Sequence, residues 1–283
     1  MSWLPDSFSA QLIAQLEEEQ GHELVSVPFF DGLLSGELDG LVESFAGKPE
    51  LHDPVRGRIK GKRALQGYVA DMRAWLSQHH ASTEEVAWVL GEGRDVEEVV
   101  LHLEVETGPV GLPVAIVADR RPDGRIDELR IYHSSWPVKG HHLNRPPLLQ
   151  PDPELRPPDI VVAFGSALAA GDLESILAAF EEDGSLREPA GDPYLYTGPD
   201  GLRAFFQPLF SRGGIPLELC TMIRDDHVCA LEYNVVGWGP MVMPPQAAMG
   251  VFVQGASRRL AALRLYDDVD RPLPAESESM PPQ

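Results

Sequence analysis

The sequence predicts an α+β protein in which one unit occurs twice. Three observations predict it: an internal repeat, helices ahead of strands in each copy, and a proline-rich spacer between the copies. Laying "FFDGLLSGELDGLVESF" (29–45) over "FGSALAAGDLESILAAF" (164–180) puts Phe29 on Phe164, Gly36 on Gly171, Leu38 on Leu173 and Phe45 on Phe180. The same offset of 135 carries Leu51 to Leu186, Asp53 to Glu188 and Pro54 to Pro189. Two extra residues then move Gly61 to Gly198 and Leu65 to Leu202, and "ELRIYHSSW" (128–136) lies over "ALRLYDDVD" (262–270) at an offset of 134. Collinear matches at both ends of a unit indicate duplication.

Each element follows from local chemistry. Residues 7–20 read as an extra N-terminal helix closed by Gly21, a good C-cap residue. In each copy a helix then runs to a Gly-Asp/Glu-Leu turn and a second short helix follows. A strand with an inward carboxylate comes next: Leu51 and Val55 are apolar, and Pro54 stops the ladder. A third helix is predicted over 62–77 and again over 199–212. The remainder alternates as antiparallel strands, with Asp123-Gly124 and Gly255-Ala256 as hairpin turns. The stretch 137–158 holds seven prolines and reads as a semi-rigid linker, and the tail 274–283 reads as disordered. The expected division is therefore a first domain over 1–136, the linker over 137–158, a second domain over 159–273 and the tail.

A formal charge of −21 argues against nucleic acid, whose phosphates need clustered Lys and Arg. The longest apolar-leaning run, "IVVAFGSALAAG" at 160–171, falls short of the ~20 residues of a membrane span. The start "MSWLPDSFSAQL" has neither the basic beginning nor the apolar core of a signal peptide, so a cytoplasmic location is expected. Cys220 and Cys229 provide no disulfide framework and read as buried thiols on neighbouring strands.

The segments "SGELDGLVESFAGKPELHDPVRGRIKGKRAL" and "AGDLESILAAFEEDGSLREPAGDPYLYTGPDGLRAFF" resemble the nuclear transport factor 2-like superfamily, and within it the SnoaL-like polyketide cyclases and ketosteroid isomerases. The resemblance implies two tandem cones, each a curved antiparallel sheet wrapped on helices with a pocket at its open end. It also implies packing through the outer sheet faces, which would make a pseudo-dimer within one chain and a monomer in solution. In the isomerases the acid before this proline is the proton-transferring base, a position held here by Asp53 and Glu188. Their oxyanion-stabilising tyrosine falls on Phe29 and Phe164, and their second aspartate near Ile116 or Val117 and near Ala248 or Met249. Both donors are missing, which argues against steroid isomerisation by that mechanism.

Side chains alternate across a strand, so the core-facing set shows which residues share its side. In "LRIYHS", Leu129, Ile131 and His133 face inward while Arg130 and Tyr132 face outward; in "LRLYDD", Leu263, Leu265 and Asp267 face inward, with Arg264 and Tyr266 outward. Leu103 joins the inner set of the first copy and Tyr233 that of the second. The expected first pocket holds Asp53 as base with His133 as partner, and the second holds Glu188 and Asp267. Phe29, Leu103, Phe164, Tyr233 and Trp238 are the expected ligand-contacting residues.

A carboxylate beside an imidazole in an apolar site is acid/base equipment, and two carboxylates in one dry site push their pKa values apart. Alternatively, the acid before proline caps the following turn. Adjacent pairs His79-His80 and His141-His142 read as solvated rather than metal-binding, and "GEGRDV" at 91–96 lacks the glycine pattern of a dinucleotide site. The functional expectation is cofactor-free, metal-free acid/base chemistry, a cyclisation or isomerisation, on an apolar polyketide-like small molecule. Epoxide hydrolysis is the rival if the second pocket is the active one, and a non-catalytic binding or scaffolding module is the other. An apo structure discriminates: an enclosed pocket with Asp53 unpaired by backbone favours chemistry, and a filled cone favours the module.

Overall fold

Two six-stranded mixed sheets of identical topology carry the chain. The computed structural model describes residues 3–5, 25–35 and 38–270; the helix expected over 7–20 and the tail over 274–283 lie outside the described residues. A short parallel pair, β1 (Trp3–Pro5) and β2 (Val25–Val27), precedes the repeat and was not expected. The first half then runs α1 (Phe29–Ser35), α2 (Leu38–Glu43), β3 (Glu50–Asp53), β4 (Gly57–Lys60), α3 (Lys62–Gln78), β5 (Ser82–Leu90), β6 (Arg94–Val105), β7 (Gly108–Arg120) and β8 (Ile126–Tyr132). One helical turn, α4 (Trp136–Lys139), opens the linker. The second half repeats the order as α5 (Asp159–Ala170), α6 (Leu173–Ala179), β9 (Phe180–Arg187), β10 (Leu195–Thr197), α7 (Gly198–Leu209), β11 (Leu217–Arg224), β12 (Val228–Trp238), β13 (Met241–Gln254) and β14 (Leu260–Tyr266). None of the described helices is long and apolar enough to cross a membrane.

The strand orders are β4-β3-β8-β7-β6-β5 and β10-β9-β14-β13-β12-β11, each with one parallel pair. The repeat holds to the residue: Leu51 pairs with Leu129 in one sheet and Leu186 with Leu263 in the other. Both predicted hairpins form. Gly124, at φ +79°, turns the first, whereas in the second the left-handed residue is Arg258 rather than Gly255. Each half has its own core, one built from residues between Phe29 and Ile131 and the other from residues between Val161 and Leu263. Cys220 and Cys229 are buried free thiols on the paired strands β11 and β12.

A third apolar cluster joins the halves through their outer sheet faces. It contains Val96, Val117 and Tyr132 from the first half and their repeat mates Ala230, Val251 and Tyr266 from the second. Two charged triads flank it about a pseudo-twofold axis. Arg130 makes a bidentate pair with Glu232 (Nε–Oε1 2.7 Å, Nη2–Oε2 2.9 Å), and the Tyr132 hydroxyl donates to the same carboxylate at 2.7 Å. Its mate is Arg264 on Glu98 (2.7 and 2.6 Å), with the Tyr266 hydroxyl donating at 2.6 Å. Buried carboxylates left unpaired would cost several kcal/mol, so bidentate partners and a phenol are what allow Glu98 and Glu232 to sit here. The outward arginines and tyrosines are thus the seam of an intramolecular pseudo-dimer.

The proline-rich linker lies along the second half as a strap. Ala247 N–H donates to the Arg145 carbonyl (2.9 Å), Asp152 N–H to that of Leu219 (2.8 Å), and Asn234 Nδ2 to that of Leu149 (3.3 Å). Arg145 itself is buried and lies over the Tyr132 ring at 5.0 Å, while Arg187 of β9 lies over the Tyr266 ring at 5.3 Å.

Candidate functional site

The two cones differ in how their carboxylate is held. Asp53 ends β3 and is 2% exposed. Its Oδ1 accepts from the Val55 and Arg56 N–H groups, both at 2.8 Å, and its Oδ2 accepts from the Tyr68 hydroxyl at 3.3 Å. This is the short-side-chain turn geometry that aspartate favours. So Asp53 is paired by backbone. The cavity beside it measures only about 100 Å³ and brings Asp53 and His133 together with Phe30, Trp75, Leu101 and Ile131. Burial lowers the His133 pKa, while the Asp53 charge opposes the shift. Phe29 and Leu103 do not line this cavity; both are core side chains, and Phe30 and Leu101 form its wall instead. Phe29 is instead packed edge-on against Phe30, 5.4 Å between centroids, on the buried side of α1.

In the second half the acid is one methylene longer and lies beyond the end of β9. The Tyr196 hydroxyl, from β10, donates to Glu188 Oε1 at 2.8 Å. The cavity here is about 520 Å³, and Glu188, Asp267, Phe164, Tyr233 and Trp238 all line it. Two differences between the halves accompany its greater size. Helix α3 spans 17 residues and sends Met72 and Trp75 across the first cone, whereas α7 stops after 12, ahead of Gly213-Gly214. On the inner sheet face, Val114 and Ile116 give way at the repeat offset to Ala248 and Gly250. A Cβ on Gly250 would lie 3.2 Å from the Phe252 ring and 3.5 Å from that of Tyr233, so its absence lets both aromatic rings lie along the wall.

Asp267 follows β14 and opens onto this cavity. Burial pushes its carboxyl up to about 6, reinforced by the charges of Asp268 and Glu188 and opposed by the Val269 N–H (3.2 Å) and by His142. Burial, with the Asp267 charge nearby, also pushes the Tyr233 phenol well up. Among the described residues the Tyr233 hydroxyl has no hydrogen-bond partner.

The neighbouring Asp268 points the other way and ties the halves together. It accepts from Ser134 Oγ (2.9 Å), Ser135 N–H (2.9 Å), Ser135 Oγ (2.6 Å) and Leu143 N–H (2.8 Å), with His142 Nδ1 at 2.9 Å. These donors overcome the cost of burial and hold its carboxyl far below the usual range; in return the pair raises the His142 pKa. The result fixes Ser134, Trp136 and His142, all from outside the second half's repeat, at the rim of the second cavity. Trp136 and His142 stack there, 5.3 Å between centroids.

Sequence reasoning did not pick out Tyr68, Tyr196, Asp268 or the 134–142 rim. Tyr196 and the rim lie off the core-facing strand positions on which the parity argument rested. Of the histidine pairs, His79 Nδ1 lies 2.8 Å from the Trp75 carbonyl oxygen and His141 Nδ1 3.1 Å from that of Lys139. Glu50, His52 and Glu128 do converge within 4.8 Å. However, Glu50 is already paired with Arg58 and Lys60, and Glu128 with Arg130.

Residues 161–258 match the SnoaL-like domain family, and the first half repeats the sheet topology of the half that contains them. Similar solved structures include a protein of ketosteroid isomerase-like fold from Catenulispora acidiphila in complex with trimethylamine. It is 15% identical over 41% of this chain and 90% of its own, with a TM-score of 0.34. An LEH-like epoxide hydrolase from M. tuberculosis is 21% identical over 38% of this chain and 80% of its own, TM-score 0.33. A nuclear transport factor 2-like protein of unknown function from Cytophaga hutchinsonii is 16% identical over 41% and 94%, TM-score 0.32. No curated protein matches.

Proposed function

We propose that the second cone is the functional site and that Asp267 is its proton-transferring group, acting as a general base on an apolar small molecule in a cyclisation or isomerisation. The observation that carries this reading is a cavity of about 520 Å³ with a carboxyl raised to about 6 on its wall. A general base works best with a pKa near the operating pH, and at neutral pH most Asp267 carboxyls would be ionised yet still basic. The Tyr233 hydroxyl, without a partner among the described residues, is available to donate to an oxygen that gains charge as the proton leaves. Glu188, oriented by Tyr196, is the second acid/base group. Addition of water to an epoxide is the second reading, favoured by Glu188 and Asp267 sharing one cavity, one to protonate the oxygen and one to activate water. The first cone, with about 100 Å³ and its acid engaged by the turn, is a structural partner in this proposal.

The test is deuterium exchange at the α-carbon of a bicyclic ketone such as β-tetralone, followed by proton NMR. Exchange should rise with pH through about 6 to a plateau and fall roughly 10²–10⁴-fold in Asp267→Asn. Exchange equal in the two proteins would refute the assignment, and a folded protein that binds the ketone without exchanging it would favour the non-catalytic module.

A further inference from the structure

The lining of the second cavity is lopsided in charge as well as aromatic. Nine of its side chains are Phe, Tyr or Trp, among them Phe164, Phe205, Phe206, Tyr233, Trp238 and Phe252. Three are carboxyl groups: Glu188, Asp267 and Asp270. No lysine or arginine lines it among the described residues. The first cavity is unlike it, with Arg56 and Lys139 on its wall. Among the described residues the one basic side chain at the second rim is His142, and it is already paired with Asp268 at 2.9 Å.

We infer that the second cone selects an organic cation: an apolar amine or quaternary ammonium compound, its charged nitrogen against Asp267 and its hydrocarbon against the aromatic wall. This rests on the reading that the second cone is the ligand site and adds the class of ligand it takes. The physics has two parts. Aromatic faces attract a cation through their quadrupoles, most strongly where water is excluded. Asp267 is partly buried in this wall and, among the described residues, accepts one hydrogen bond, from Val269 N–H, so an incoming positive charge recovers part of the hydration that burial removed. A neutral ligand of the same shape gains the apolar contact and leaves Asp267 uncompensated.

The charge balance around Asp267 also predicts a pH dependence. The groups facing it are Glu188 from the end of β9, Tyr196 through Glu188, Tyr233 from β12, His142 from the linker, and Asp268 and Asp270 from its own segment. Below about pH 6 the Asp267 carboxyl is protonated and cation selectivity should shrink; above it selectivity should be full.

The experiment compares benzyltrimethylammonium with neopentylbenzene, its neutral isostere, by fluorescence of the full chain, in which Trp238 and Trp136 report on the cavity. Near pH 8 the cation should bind roughly tenfold or more tightly than the isostere. The preference should fall severalfold at about pH 5, and Asp267→Asn should reduce it near pH 8 while retaining neopentylbenzene binding. If Asp267→Asn misfolds, Glu188→Gln gives the same readout with a smaller loss. Equal or tighter binding of the isostere near pH 8 would overturn the cation proposal and leave the second cone as the ligand site. Failure of both probes to bind the folded chain would overturn both.

Discussion

Replacing Asp267 with asparagine should make the protein more stable at neutral pH, by an amount the structure specifies. Burial raises this carboxyl from 3.8 to about 6. Between those values the folded chain keeps a proton that the unfolded chain has released, so stability falls as pH rises through this window and the full penalty is present at pH 7. Each pKa unit corresponds to about 1.4 kcal/mol, so the wild-type penalty is about 3 kcal/mol. Asparagine matches the side chain in shape, keeps an oxygen to accept from Val269 N–H, and carries no charge at any pH. Urea unfolding of both proteins from pH 4 to 8 is the assay. The stability gap should be small near pH 4, widen through pH 5 and 6, and level off near 3 kcal/mol in favour of Asp267→Asn. Thermal midpoints should differ in the same direction, by roughly 2–4 °C per kcal/mol in chains of about this size. A variant less stable than wild type at pH 7, or a gap that does not change with pH, would refute the reasoning and remove Asp267 from the site.

The adjacent residue should behave in the opposite way. Asp268→Asn turns an amide N–H₂ toward donors that already point inward, and should cost about 3–5 kcal/mol at pH 7. Because its pKa is lowered, that stabilisation is present above the ordinary carboxylate range and lost as pH falls below it, so the gap should narrow in acid unfolding curves. The same change should weaken ligand binding in the second cone by releasing Trp136 and His142, which titration with benzyltrimethylammonium would measure. Asp53→Asn keeps an oxygen for the Val55 and Arg56 N–H groups and should cost about 0.5–2 kcal/mol, by analogy with helix caps. It should leave β-tetralone exchange unchanged; loss of exchange without loss of stability would return the chemistry to the first cone.

The fold was legible because duplication is a comparison of the chain with itself. Leu51 and Leu186 have neighbours in common only if the copies fold alike, and they pair with Leu129 and Leu263 as the offsets require. Strand parity also worked, since alternation is a backbone property: Arg130 and Tyr132 do face away from their own core. The relative openness of the two cones was less accessible. It goes with where α3 and α7 stop and with Gly250 and Ala248 standing for Ile116 and Val114, differences visible in the aligned copies but meaningful only once the inner face is known. At Asp53 the turn-cap geometry is present, and the Asp53→Asn exchange measurement tests whether the group also transfers protons. Aspartate reaches back to the turn N–H groups, while at the matching position the Glu188 carboxylate meets Tyr196. The Asp268 junction was invisible because its partners lie 125 to 134 residues away, and the repeat sets Ser134 on Asp268 as equivalent positions without showing that they touch.

The two arginine–tyrosine stacks at the seam show what a covalent joint allows. In a dimer of identical chains each side chain occurs on both sides of the axis, so a change that suits one cone is imposed on the other. Here Tyr266 is covered by Arg187 from its own sheet, whereas Tyr132 is covered by Arg145, a linker residue. His52 occupies the place of Arg187 in the first half and is engaged with Glu50 and Glu128 instead. One strap therefore does for the first half what a strand residue does for the second, and the repeat can drift at that site without opening the seam. The two ends of the molecule are released from copying each other. One can close around its own side chains as ballast while the other stays hollow, a division of labour that a strictly symmetric pair has no way to encode.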